Sequence, residues 1–330
     1  MKIINLDTPR EDEETKAPRF TFCAYGPTGV GKTTWAGSFP RPIFLSETSE
    51  SGYESLRGIG DEALFEPGVK PIIIGIEKMN DMAVARDVLA PFILSGLIQT
   101  VVIDSLTFYA DLYLTFLSEI HNGPNDNLKV YGALGRHLRD LRVKWHQMGC
   151  NVVSLCLAQE PDEQKPEGLP LIPGKEANKY GASCDYLLYL RRERIKQGQQ
   201  FLDNYEIHSK PHGKFVARAR RAVGLPDLPS PLMNSTYAEL LAYIGYSADA
   251  TRAALPPYKD PTPEIMKAIA ARSVTVAAPP VAAAIQTAAV KPPVPVQRHV
   301  PNAAPKPVAT NTPNVSRRPA VPVGRPGNNS

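Results

Sequence analysis

The chain has 330 residues, 43% hydrophobic and 21% charged, with a formal net charge of +4 at pH 7. This length is enough for one large domain or two ordinary ones. No run of about 18 apolar residues occurs, and the polar N-terminus is neither a signal nor a transit peptide, so we expect no membrane span. The mild positive charge permits nucleic acid as a partner without requiring it.

Composition divides the chain into three parts. Residues 1–18 are predicted to be a flexible leader, 19–246 a folded domain, and 247–330 a basic tail rich in proline and alanine. Such a tail cannot bury enough apolar surface to order itself, so we expect it to be largely disordered apart from one short helix over 263–272. It is a spacer, or it adds electrostatic affinity for a polyanion such as DNA.

The four cysteines form no C-x-x-C pair and lie far apart or in apolar, strand-like runs. This pattern favours buried free thiols in a reducing compartment over zinc ligands or disulfides. Together with the absence of a targeting signal, it predicts a cytoplasmic protein. The residues concerned are Cys23, Cys150, Cys156 and Cys184.

Residues 26–33 read Gly-Pro-Thr-Gly-Val-Gly-Lys-Thr and fit the phosphate-binding pattern G-x-x-x-x-G-K-[ST]. A β-rich run over 19–25 precedes the motif and a helical run over 34–39 follows it, which is the context that the motif requires. The glycines let several backbone N–H groups approach one anion, and the helix N-terminus adds partial positive charge. The alternative is a chance glycine-rich turn before a helix.

The motif predicts a nucleotide site that holds ATP and Mg²⁺. Lys32 is expected to reach the β- and γ-phosphates, and the Thr33 hydroxyl to coordinate the metal. The predicted nucleotide-binding residues are Gly26, Pro27, Thr28, Gly29, Val30, Gly31, Lys32, Thr33 and Thr34.

Further along the chain, apolar runs predict strands over 41–46 and 70–75, and helical spacing predicts a helix over 80–94. The run 98–105 is predicted to be a buried parallel strand that ends in an acid, Asp104. Ligands of open α/β sheets bind at the carboxyl ends of the strands, so Asp104 is the candidate Walker B acid that holds Mg²⁺. The alternative is a helix N-cap, a role that Ser105 would fill equally well.

Two helices are predicted over 106–121 and 131–148, followed by a buried strand over 151–158 that brings Gln159 to the same edge. Gln159 would sense the γ-phosphate or position water, or it would simply start a loop. Runs over 201–209 and 215–219 predict a β-hairpin, and 236–244 a last core helix capped by Asn234 or Ser235.

The order of these features resembles a RecA-like ATPase core. The closer resemblance is to the compact phage-encoded RecA-like NTP-binding proteins, the Sak-type recombinase and single-strand annealing group. It spans about residues 19–245. The segments that carry it are 26–34, 49–56, 103–105, 158–160 and 213–218.

This resemblance implies an α/β fold with a mostly parallel central sheet flanked by helices, ahead of the disordered tail. It also implies a homo-oligomer, ring or filament, with single-stranded DNA as a partner and a single-strand-binding protein as a further candidate. If the chain is phage-encoded, the compartment is the host cytoplasm.

Catalytic roles are also implied by the resemblance. A glutamate after the second strand polarises the attacking water, a role that falls to Glu47 or Glu50, and Gln159 corresponds to the glutamine switch. With Lys32 and Asp104, these residues make up the candidate catalytic set. In many such assemblies a neighbouring subunit supplies a basic finger, for which the candidates are Lys175, Lys214, Arg218 and Arg220.

The leading hypothesis is a Mg²⁺-dependent, DNA-stimulated ATPase that acts on single-stranded DNA in phage recombination, annealing or repair. No separate DNA-binding domain is evident, so strand exchange, annealing and loading all stay open. One alternative is a P-loop kinase or other NTPase without a DNA partner. Another is a nucleotide-gated DNA-binding or scaffold protein with negligible hydrolysis.

Overall fold

The computed structural model describes residues 18–48, 52–120, 127–197, 200–220 and 227–273. Within these ranges the chain forms an α/β fold in which helices flank a mostly parallel sheet, and this confirms the predicted fold class. Nearly all of the predicted leader and the predicted tail beyond residue 273 lie outside the described residues.

The strands are β1 (Thr21–Gly26), β2 (Pro42–Glu47), β3 (Ile72–Ile76), β4 (Thr100–Asp104), β5 (Asn151–Gln159), β6 (Leu169–Pro170), β7 (Tyr186–Gln197), β8 (Gln200–His208), β9 (Arg218–Ala219) and β10 (Leu232–Met233). Their order across the sheet is β10-β8-β7-β1-β5-β4-β2-β3, with β6 beside β5 and β9 beside β7. Neighbours from β7 to β3 run parallel, and the remaining pairs are antiparallel.

Strand β5 lies between β1 and β4, and this order decides where the site forms. Gly26 at the end of β1 is level with Leu157, and Asp104 at the end of β4 is level with Leu155. The carboxyl ends of β1, β5 and β4 therefore meet at one edge of the sheet, which is where ligands bind in open α/β folds.

The helices are α1 (Lys32–Gly37), α2 (Asp81–Leu94), α3 (Leu106–Ile120), α4 (Asn127–Gln147), α5 (Glu176–Ser183), α6 (Tyr237–Tyr243), α7 (Ala248–Ala253) and α8 (Thr262–Ser273). The three helices predicted between residues 80 and 148 correspond to α2, α3 and α4. Helix α6 is capped by Thr236, which forms a capping box with Glu239, so the predicted caps at Asn234 and Ser235 are wrong.

The sheet separates two apolar cores. On one face, side chains of α2, α3 and α4 pack on the strands, with Trp145 fully buried among them. On the other face α1 and α6 pack through an aromatic group in which Phe39 lies 4.3 Å from Tyr237 and 5.1 Å from Phe22 between ring centroids. Because both faces are covered, β1 and β4 are buried along their whole length.

The predicted hairpin between 201–209 and 215–219 is wrong. Strand β8 pairs instead with β7, from Tyr189 opposite His208 to Gln197 opposite Gln200, and the short β9 pairs with the start of β7. Strand β7 runs as far as Gln197 because its charged second half is paired along β8. Its sequence is apolar only at the start, so the charged half does not look like a strand.

The predicted domain boundary at residue 246 lies too early. Helices α7 and α8 follow it, and Ile265 of α8 is 1% exposed within the core that contains α2. The buried Arg41 donates a 2.6 Å hydrogen bond to the carbonyl of Pro256 and lies over the ring of Tyr258. Apolar side chains on one side of α8 give this alanine-rich segment enough contact to join the folded domain.

All four cysteines are free and buried, as predicted. Over the parts of the chain that the structure describes, no helix combines the length and the apolar character needed to cross a membrane.

Candidate nucleotide-binding site

The P-loop joins the end of β1 to the start of α1 and has the backbone that its glycines permit. Gly29 and Gly31 have φ angles of 76° and 81°, in the left-handed region that favours glycine. A Cβ on Gly31 would lie 3.1 Å from the ring of Tyr205, and one on Gly26 would overlap the carbonyl oxygen of Leu190. Strands β7 and β8 therefore pack closely against the loop.

Lys32 and Thr33 start α1 and lie half-buried at the loop. The Lys32 ammonium donates hydrogen bonds of 2.9 Å and 2.7 Å to the carbonyls of Gly26 and Pro27. This places a positive charge over the start of the loop. The exposed residues Pro27, Thr28 and Gly29 leave the other side of the loop open to solvent.

The structure brings Asp104 to the P-loop, as predicted from the sequence. The Thr33 hydroxyl donates a 2.8 Å hydrogen bond to Oδ2 of Asp104, which is 8% exposed. Burial raises the pKa of Asp104, while the Thr33 hydrogen bond and the charge of Lys32 act in the opposite direction.

These two oxygen groups fit a divalent cation. Mg²⁺ is typically held by one or two protein oxygens together with phosphates of the substrate. Among the described residues no group of three or more His, Cys, Asp or Glu side chains could hold a metal by itself. A cation at this edge would therefore depend on Thr33, Asp104 and a bound nucleotide.

Glu47 lies at the end of β2, one residue beyond Ser46, which is level with Asp104. Glu47, Asp104 and Ser105 line one cavity of about 300 Å³ at this edge of the sheet. The other predicted glutamate, Glu50, lies outside the described residues, although Gly52 follows it closely and lies beside Thr33.

Gln159 is the last residue of β5 and therefore ends between the P-loop strand and the Asp104 strand. Its backbone pairs with Leu169 of β6. The predicted placement at the sheet edge is correct, since β5 runs between β1 and β4.

The four candidates for a basic finger differ in what they contact. Arg218 donates hydrogen bonds to three carbonyls at the end of α5, and Arg220 pairs with Asp185 at 3.3 Å. Both guanidinium groups thus have partners within this chain. Lys175 and Lys214 are exposed.

A second cavity of about 250 Å³ was missed by the sequence analysis. It lies on the side of α1 away from Asp104 and is bounded by α1, β8 and the turn before α6. Thr34 lines it, because a residue that follows Thr33 in a helix faces about 100° further round. The other lining residues include Val30, Gly31, Trp35, Tyr205, Asn234 and Ser235.

Two features distinguish this cavity. Asn234 exchanges hydrogen bonds with the backbone of Tyr205, at 2.7 Å and 2.9 Å, and this holds the Tyr205 ring beside Gly31. The indole Nε1 of Trp35 is buried and has no hydrogen-bond partner among the described residues. In the sequence, the one residue that indicates a binding surface here is Trp35, three residues after Lys32.

Comparison with known proteins agrees with this geometry. None of the curated proteins matches the chain. The family model described as AAA domain matches residues 19–221, more than half of the 330 residues, and includes the P-loop, Asp104 and Gln159. The chain therefore belongs to the AAA domain family, whose members are P-loop NTPases.

Proposed function

We propose that this protein binds ATP with Mg²⁺ at the P-loop, hydrolyses it, and couples hydrolysis to single-stranded DNA. The observation that carries the ATPase proposal is the Thr33–Asp104 hydrogen bond, which joins the start of α1 to the acid at the end of β4. Thr33 and Asp104, the residues proposed to hold the metal, are in contact through it, and the charge of Lys32 acts on Asp104.

Each residue of the site has a distinct task in this proposal. The backbone N–H groups of the loop and Lys32 bind the phosphates and neutralise their charge. Thr33 and Asp104 hold Mg²⁺, which when bound supplies further neutralisation of the phosphate oxygens. Glu47 lines the cavity next to Asp104 and orients the attacking water. Most of the rate enhancement comes from positioning and electrostatic stabilisation, as phosphoryl transfer requires.

The cavity beside α1 is the proposed site of the adenine base. It lies across α1 from Asp104, so a nucleotide whose phosphates occupy the loop can extend its base away from the metal side. The Tyr205 ring offers a stacking surface. The Trp35 N–H is buried without a partner among the described residues, and a shift of the side chains that cover it would let it donate to a ring nitrogen of the base.

The DNA partner is supported by the resemblance to RecA-like phage proteins of the recombination and annealing group. A ring or filament of identical subunits would complete the site with a basic residue from a neighbour. Lys175 and Lys214 are the better candidates for that role, since Arg218 and Arg220 have the intramolecular partners described above.

The test is ATP hydrolysis with Mg²⁺, measured alone and with single-stranded or double-stranded DNA. We expect single strands to stimulate turnover. Lys32→Ala should reduce turnover at least about a hundredfold, because removal of one main group that stabilises transition-state charge typically lowers the rate by this factor. Retained turnover in Lys32→Ala would refute the site. Turnover that does not respond to DNA would instead favour an NTPase or kinase without a DNA partner, and a small-molecule phosphate acceptor would then be sought.

A further inference from the structure

We propose that the β7–β8 hairpin carries the single-strand binding surface of this protein. The inference rests on the DNA partner proposed above and assigns that partner a location. The hairpin region concerned, here called the arm, comprises residues 192–197 and 200–205. The surface consists of Arg192, Arg194, Lys196 and Phe201, and Tyr205 lies at its root, against the P-loop.

The arm extends beyond the rest of the sheet. Strand β1 pairs with β7 only as far as Tyr189, and β10 pairs with β8 only at Glu206 and Ile207. Within the described ranges, the strands of the arm therefore pair only with each other, apart from Tyr205 at its root, whose backbone is hydrogen-bonded to Asn234. Six residues of strand make it about 20 Å long.

The pairing register sorts the arm into two different faces. Residues directly opposite each other in an antiparallel pair share a face, as do residues two apart along one strand. Arg192 is opposite Tyr205, Arg194 opposite Asp203, and Lys196 opposite Phe201. One face thus carries three cations on β7 opposite two aromatic rings and Asp203 on β8, while the other carries Ile195 opposite Leu202.

The charges of this face favour a polyanion. Three cations share it with one carboxylate, Asp203, which lies 3.4 Å from Arg194 and 3.9 Å from Arg192. The Arg194 side chain is 68% exposed and Arg192 49% exposed, so both reach solvent despite these contacts. Phosphate groups would therefore meet an excess of positive charge along the arm.

The rings favour single strands over duplex. Phe201 is 59% exposed, which is unusual for a large apolar ring, and Arg194 lies over it at 5.4 Å. Unpaired bases can stack on such rings, whereas the bases of a duplex are already stacked on each other. Positive side chains beside exposed aromatic rings are the combination by which proteins bind single-stranded nucleic acid without sequence preference.

The position of the arm links this surface to the nucleotide site. Tyr205 is at the root of the same face, and its ring lies against Gly31 of the P-loop. A single DNA strand bound along the arm would therefore end beside the P-loop. This gives a direct physical route by which DNA and nucleotide affect each other's binding.

The experiment is binding of a fluorescent oligothymidine strand, measured by anisotropy over a range of salt concentrations. The first variant is Arg192→Gln/Arg194→Gln/Lys196→Gln. Its matched control, Lys70→Gln/Lys144→Gln/Lys259→Gln, removes the same charge from exposed positions elsewhere. We expect the first variant to lose at least about tenfold in affinity and about two units of salt slope, at ~0.7 per phosphate contact. The control should keep the wild-type slope.

A second pair of variants tests the contribution of the Phe201 ring to DNA binding. Phe201→Ala should lose roughly fivefold to a hundredfold in affinity, the usual range for one base stack. Leu202→Ala is its control, because it removes a similarly exposed apolar side chain from the opposite face of the same strand. Thermal unfolding of each variant verifies that the fold is retained.

The outcomes separate the two proposals. If the wild-type chain does not bind the strand, the DNA partner itself is wrong. If wild type binds and the arm variants bind as tightly as their controls, only the location is overturned. A loss of assembly size by light scattering, with DNA affinity unchanged, would instead make the arm a contact between copies of this chain and refute the inference.

Discussion

The Thr33 hydroxyl donates a 2.8 Å hydrogen bond to the carboxylate of Asp104. The two residues are 71 positions apart in sequence, and the hydrogen bond joins the start of α1 to the end of β4 across the intervening strand β5. It brings together the hydroxyl and carboxylate oxygens that suit Mg²⁺. The buried position of Asp104 means that this arrangement costs stability, which leads to the first prediction.

Asp104→Asn should separate stability from metal dependence. Burial raises the pKa of Asp104, so the charged form is disfavoured in the folded protein and the neutral amide should leave the melting temperature unchanged or higher. The amide oxygen can still accept from Thr33. The added stabilisation that Mg²⁺ gives to the ATP-bound protein, measured by thermal shift, should disappear.

Asp111→Asn is the control, since it removes an exposed carboxylate from α3, away from the P-loop. It should keep the full effect of Mg²⁺ on the ATP-bound melting temperature. A normal Mg²⁺ response in Asp104→Asn would exclude Asp104 as a metal ligand.

Trp35→Phe tests the proposed base site. The substitution keeps a ring against Phe22 and Phe39 but removes Nε1–H, a buried donor without a hydrogen-bond partner among the described residues. Loss of the unpaired donor offsets part of the packing lost with the indole, so the free protein should stay folded. If the base accepts from this donor, ATP and ADP should both bind about fivefold more weakly, for a loss of about 1 kcal/mol. Inorganic triphosphate, which has no base, should bind equally well to both proteins. Calorimetric titration gives all three affinities.

Trp145→Phe provides the comparison, because Trp145 Nε1 is likewise buried without a partner in the described part of the chain but lies in α4. It should leave all three affinities unchanged. Equal nucleotide affinity in Trp35→Phe and wild type would place the base elsewhere.

Ile265→Ala tests whether α8 belongs to the folded domain. Ile265 is 1% exposed in the core, so its truncation should lower the free energy of unfolding by about 2–4 kcal/mol. Met266→Ala, at a neighbouring position that is 60% exposed, should change it by less than about 0.5 kcal/mol. Urea denaturation measures both values. Equal and small changes in the free energy of unfolding of both variants would show that α8 is not part of the folded domain.

Sequence alone was sufficient where local pattern and topology agree. The P-loop has a fixed residue spacing, and the apolar runs before Asp104 and Gln159 are typical of parallel strands that are buried on both faces. Since parallel strands end at one edge, the meeting of Thr33 with Asp104 followed without knowledge of the strand order. The structure adds that β5 lies between them.

The features that sequence missed depend on long-range pairing. Nothing local indicates that β8 pairs with β7, because Arg191 to Lys196 is a charged run that becomes a strand only when β8 satisfies its backbone. The cavity beside α1 combines Trp35, Tyr205 and Asn234, residues from three separate parts of the chain. The composition of α8 is typical of a disordered tail, although Ile265 is buried and Ala268 and Ile269 are partly buried against the core that contains α2.

His137 should make stability depend on pH. It lies in α4, with Nε2 2.7 Å from the Tyr109 hydroxyl and its ring stacked on Tyr113 at 3.9 Å. Burial, with a smaller contribution from the charge of Lys144, lowers the pKa of His137 to about 4 from 6.5. The unfolded chain therefore binds the proton more readily, and the stability from this site is complete above pH 6.5 and lost as pH falls towards 4.

The matched variant is His137→Gln, which keeps a polar group for Tyr109 but does not titrate. Each pKa unit corresponds to about 1.4 kcal/mol, reduced here because the ring is only partly buried. Between neutral pH and pH of about 4.5, wild type should lose about 2 kcal/mol more unfolding free energy than His137→Gln. Parallel curves for wild type and His137→Gln in urea titrations would show that His137 is protonated alike in the folded and unfolded states.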